Sequence, residues 1–183
     1  MGYIRNVLTG TAPENYELFG RSEHYGMNEL RQFVDANNRW FRGHLPESDA
    51  SLDSAEVQLG VSLPPDIRWV LRDFGYWHAT GISSLDESIE NTIAAREHLK
   101  LPHRYSVLYD HQDGGVILLD TKPNQATGQY KVYDSGWESV PDELEHEIVY
   151  DSYLDYVKEV LARQQDFIAP EHIDHDPTRY RTP

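Results

Sequence analysis

Three short groupings in this chain carry residue types that do chemistry in other settings. The first is Glu171-His172-Ile173-Asp174-His175-Asp176, where two imidazoles three apart, with carboxylates beside them, offer the donor set of a divalent-ion site. Such a site needs an element that holds both rings, and this segment lies between Pro170 and Pro177 near the chain end, so an exposed tail accounts for it better. The second, Asp73-Phe74-Gly75, spells a kinase tripeptide, but no glycine-rich loop, lysine strand or catalytic loop accompanies it, and it is read as coincidence. The third, Gly114-Gly115, has the freedom to approach a phosphate, yet no Lys-Ser/Thr opens a helix after it and Asp110 and Asp113 stand close by. A hairpin turn is the better reading. With no cysteine, disulfides, thiolate catalysis and cysteine-ligated zinc are all excluded. No Gly-x-Ser-x-Gly element occurs, and no carboxylate pair is singled out among so many acids. The expectation is a non-enzyme with no catalytic residue, metal or cofactor.

Charge is the stronger signal. The 183 residues carry 31 acids against 16 Lys and Arg, a net charge of −15, which repels nucleic acid and anionic membrane. Between Lys131 and Lys158 stand eight acids, Asp134, Glu138, Asp142, Glu143, Glu145, Glu147, Asp151 and Asp155, without one Lys or Arg. Such a run is either a solvated edge or a face for a basic partner. Trp137 sits inside it with Tyr133 and Tyr150 near in sequence, and reads equally as an interface anchor or as a core tryptophan under a loop. The amino terminus has no basic segment followed by an apolar run, no window approaches eighteen apolar residues, and Asn6 stands where a myristoylation signal needs Ser or Thr. A soluble, cytoplasmic protein is expected.

The elements that must position these residues are marked by caps and periods. Asp53 and Glu56 have capping-box spacing, Gly60 suits a left-handed helix end, and Pro65 fits a first helical turn. Ile67, Val70, Leu71 and Phe74 then recur on one face up to Gly75. Residues 1–26 read as an irregular arm, 27–42 as a helix stopped by Gly43, and 44–52 as a polar connector. Ser84 and Glu87 cap a helix over 85–99 that buries Leu85, Ile89, Ile93 and Ala94. Residues 105–109 and 116–119 pair as antiparallel strands around an Asp-Gly turn, a third strand covers 129–134, and 148–150 adds an edge. Ser152 caps a last helix with Leu154, Val157, Val160 and Leu161 inward. This is an α+β fold, a small and mostly antiparallel sheet packed with helices. The expected organisation is an arm and helix over 1–49, a domain over 50–167, and a tail over 168–183.

The combination Glu56, Leu59-Gly60, Leu63-Pro64, Asp66, Leu71 and Gly75, followed by the glycine-led strand GGVILLD, resembles the SMI1/KNR4 (SUKH) family over residues 50–165. The family usually has a polar residue before the glycine and often a second glycine after it, whereas Phe74 and Tyr76 flank Gly75 here. The resemblance implies an immunity protein that binds a cognate polymorphic or contact-delivered toxin, often a nucleic-acid-targeting enzyme, and neutralises it by occlusion. Its alternative is a regulatory scaffold without a toxin. On the immunity reading the partner is a toxin domain rather than nucleic acid or membrane. Asp134, Glu138, Asp142, Glu143 and Glu145 would then meet its Lys and Arg groups, with Trp137 as anchor and Asp110 and Asp113 extending the face. That assignment comes from charge and placement, not from a family motif.

Overall fold

The computed structural model describes residues 15–41, 45–76, 78–140 and 148–167, the side chains of 15–25, 78 and 113 excepted. In order, its main elements are α1 (Asn15–Ala36), α2 (Asp49–Leu59), α3 (Pro65–Asp73), α4 (Leu85–His98), β1 (Tyr105–Asp110), β2 (Val116–Asp120), β3 (Val132–Ser135), β4 (Ile148–Tyr150) and α5 (Tyr153–Phe167). The strands form one antiparallel sheet in the order β1-β2-β3-β4, as the alternation and the turns led us to expect. Fold class and strand order agree with the sequence, while β3 starts at Val132, three residues later than expected.

Period-two alternation gives the sheet two buried faces. Leu108, Ile117, Leu119 and Val132 face the larger core, with α1, α2, α3 and α5. Tyr105, Val107, Val116, Leu118 and Tyr133 face a smaller one, closed by Ala95 of α4, Leu101, Val140 and Trp137. A bulge between Val107 and Tyr109 interrupts the β1 alternation. A seam of hydroxyls fits α4 to that bulge. Thr92 Oγ1 donates to Ser88 O (2.6 Å) and accepts from Val107 N–H (2.8 Å), while Ser83 Oγ donates to Leu108 O (3.1 Å).

Several boundaries differ from expectation for identifiable reasons. α2 starts a turn early, because Ser48 and Ser51 form the reciprocal cap. Asp53 and Glu56 instead lie inside α2 with Asp49, on one stripe that meets Arg68 of α3, Asp49 at 3.2 Å, Asp53 at 2.6 Å and Glu56 at 3.4 Å. Glu56 also accepts Leu63 N–H (2.8 Å), shaping the α2–α3 turn. Residues 15–26 are helical rather than irregular, and α1 ends at Ala36, before a short 3-10 turn at Asn38–Trp40. Leu30, Val34, Trp40 and Phe41 are buried, and Phe33 packs half-buried against them. In α4 the expected cap at Ser84 and Glu87 is present, but Ile93 and Ala94 face outward, and Ser88, Thr92 and Ala95 take the inner side. α5 buries Tyr153 and Tyr156, whose hydroxyls donate to Thr80 O (2.7 Å) and Gly81 O (2.8 Å). The histidine-rich segment 171–176 and the tail lie outside the described residues.

Candidate functional site

The site is built where β1 and β3 end. After the bulge Asp110 pairs with Val116, so its side chain points to the smaller core's face of the sheet. Beyond β3 the chain makes a single 3-10 turn at Trp137–Ser139. This returns the Trp137 indole to that same face, half-buried against the smaller core. Trp137 Nε1–H donates to Asp110 Oδ1 (3.0 Å), which also accepts Gln112 N–H (2.8 Å). The carboxylate thus fixes both the indole and the β1–β2 turn. A half-buried tryptophan with its polar end satisfied is a rigid anchor, because little side-chain freedom remains to lose on binding. Between it and α4 lies a shallow groove of about 300 Å³ lined by Asn91, Ala94, Ala95, His98, Leu99 and Asp110. Glu138 is exposed at the edge and folds back over Gly136.

The structure separates Asp134 from this group. Asp134 pairs with Ile117 and Ile148, on the larger core's side of the sheet, and its Oδ2 lies 3.8 Å from Arg163 of α5. Asp110, Trp137 and Glu138 are therefore brought together, while Asp134 is not. Asp113 stands in the Gln112–Gly114 turn beside Asp110, with its side chain outside the description. Asp142, Glu143 and Glu145 lie outside the described residues.

Two features were not singled out from sequence. The α4 wall of the groove comes from the outward Ala94, which the period had placed inside. At the start of α3, Asp66 has its carboxyl pushed up to about 6 by burial, against the pull of the Ile67 backbone N–H (2.9 Å). Its position in the motif was legible, and its environment was not. On the smaller core's face Tyr105 and Tyr133 pack edge to face at 5.8 Å, and burial pushes the Tyr133 phenol up to about 12, so it stays protonated at neutral pH. Among the described residues no group of three or more His, Asp or Glu could hold a metal ion, and no helix is long and apolar enough to cross a membrane.

No curated protein and no solved structure matches the chain. A family model does, over residues 46–159, which takes in α2 through the first two turns of α5 and every strand of the sheet. The capped helix pair, the meander and the closing helix are therefore family features, α1 precedes them, and the chain belongs to the SMI1/KNR4 family (SUKH-1).

Proposed function

We propose that this protein is an immunity protein that binds a cognate toxin domain and neutralises it by occlusion. Membership in the SMI1/KNR4 family is the observation that carries this reading. The net charge of −15 supports a basic partner, such as a nucleic-acid-targeting toxin, since opposite fields accelerate encounter and disfavour wrong partners.

The proposed face centres on Trp137, pinned by Asp110, with Glu138 at its edge and the groove on α4 beside it. Asp113 extends this face on one side, and Asp142, Glu143 and Glu145 follow it in sequence. Asp134 belongs to another surface, paired with Arg163. In this arrangement an apolar or aromatic toxin side chain enters the groove against the indole, and Lys or Arg groups around it meet the acids. The protein acts in the cytoplasm and performs no chemistry of its own.

Co-expression with a toxin domain encoded next to this chain's gene tests the reading, and the absence of any such gene would weaken it. The intact chain should restore growth, and a variant with Trp137→Ala and Glu138→Lys should not, while Asp134→Lys should still protect. Growth that the intact chain fails to restore would sink the proposal. Protection lost only with Asp134→Lys would move the interface to the opposite side of the sheet.

A further inference from the structure

A second cleft, which shares no lining residue with the groove at Trp137, lies where α1 meets the start of α3. It encloses about 330 Å³ and is lined by Met27, Asn28, Arg31, Asp66, Gln129 and Tyr130, with Pro65 beneath. That is at the small end of ligand pockets, sized for a metabolite rather than a peptide. Its two charged groups have opposite signs. Among the described residues Asp66 accepts only backbone N–H groups, from Ile67 (2.9 Å) and its own residue, and no side-chain cation neutralises it. Arg31 is held over the Trp69 ring, 5.4 Å from its centroid, and makes no ion pair with Asp66. Asp66 and Trp69 are three apart on α3 and so share a side of that helix, and the guanidinium held over Trp69 and the Asp66 carboxylate line the same cleft.

A cation entering alone would meet Asp66 but be repelled by Arg31, and an anion would meet the reverse. A ligand carrying both charges close together satisfies both walls. An ammonium suits Asp66, a carboxylate suits the fork of Arg31, and Met27, Pro65 and Tyr130 supply an apolar wall for a side chain. The amides of Asn28 and Gln129 line the same space as further donors and acceptors. We propose that this cleft between α1, the first turn of α3 and the 124–130 loop binds a small zwitterion of the α-amino-acid class. Four of its nine lining residues, Gly26, Met27, Asn28 and Arg31, come from α1, which precedes the family region, so the site is a property of this chain's added helix.

The test uses the full chain and the twenty free L-amino acids, each at millimolar concentration, by thermal shift and titration calorimetry. At least one should raise the melting temperature and give saturable heat. Its N-acetyl form lacks the ammonium and its amide form lacks the carboxylate, so each should bind the unaltered protein about tenfold more weakly or worse. Asp66→Asn and Arg31→Met should each weaken the free amino acid by a similar factor, and Asp66→Asn should leave the already weakened N-acetyl form unchanged. The derivative series needs no variant, so a variant that fails to fold does not spare the proposal. No heat or melting shift with any amino acid overturns it, as does binding that survives loss of either ligand charge. Toxin binding is read separately, so either proposal can fail without the other.

Discussion

Arg96 of α4 is surrounded by carbonyls and pairs with no acid among the described residues. Its Nη1 donates to Leu59 O (2.5 Å), and its Nη2 donates to His103 O (2.8 Å) and Tyr105 O (3.1 Å). It therefore joins the end of α2, the 99–104 connection and the start of β1 through one planar group. Desolvation lowers its pKa, and its Nε is buried without a partner, so the fork is held at some cost. Arg96→Ala should lower urea-unfolding stability by about 3 kcal/mol, and Arg96→Lys should recover only part, since an ammonium cannot span three carbonyls in that plane. A loss indistinguishable from a surface substitution would remove this role. Asp66 gives a pH signature. Its carboxyl titrates near 3.8 when free and about 6 in the fold, so between those values the unfolded chain releases a proton that the folded chain keeps. Stability then falls as pH rises through that window and levels off above it. The loss is under about 3 kcal/mol, because part of the carboxyl still meets water in the cleft. Asp66→Asn should flatten that slope, leaving the variant more stable than the parent at neutral pH and level with it near pH 4; a steeper fall in the variant contradicts the assignment. Neither residue's role was legible in the sequence. Arg96 is an ordinary helix-end cation until its carbonyl partners, 7 to 37 residues away, converge on it.

Helix boundaries show what short-range signals can and cannot decide. Asp53 and Glu56 have the spacing of a cap, and so do Ser48 and Ser51; the tertiary partner Arg68 selects between them by claiming the acids. Ser48→Ala should therefore cost about 1 kcal/mol, and Asp53→Ala, which loses an exposed pair, less than about half of that. The reverse order in urea unfolding would return the helix start to Asp53. Gly60 and Gly75 were readable as helix ends because only glycine adopts φ of 66° and 80° at little cost, and both stop their helices where expected. Gly115 is more demanding. At φ 108° a Cβ would lie 2.5 Å from the Ser135 carbonyl oxygen, where β2 and β3 begin their pairing. Gly115→Ala should destabilise by more than about 2 kcal/mol, whereas Gly60→Ala, with open space around it, should cost about 1. Equal melting shifts for the two would mean that the close approach at Ser135 carries no weight. Leu85 and Ile89 of α4 are buried as expected, but Ile93 and Ala94 were misassigned because a hydroxyl seam, not an apolar stripe, fits the β1 bulge, and hydropathy cannot see a hydroxyl that finds its partner.

At the scale of the whole molecule the order of elements was legible and the candidate face was only partly so. Caps, glycine turns and alternation are local, and they place the four strands and the helices from α2 to α5 to within a turn. The side of the sheet that each acid occupies depends on register, and a one-residue offset reverses it. The bulge in β1 gives Asp110 to the Trp137 side, while the pairing of β3 gives Asp134 to the α5 side, and neither follows from composition. Net charge remains the clearest global property. A chain at −15 meeting a basic toxin domain should associate faster at low salt, with the on-rate falling steeply as ionic strength rises and the dissociation rate changing little. A salt-independent on-rate would remove steering from the account while leaving occlusion in place. Whether the partner is a toxin is decided by affinity purification of a tagged copy from its native cell, with mass spectrometry of what is retained and its stoichiometry. One basic toxin domain in a stoichiometric complex is expected, and retention of several endogenous signalling or envelope proteins without such a domain would overturn the immunity reading.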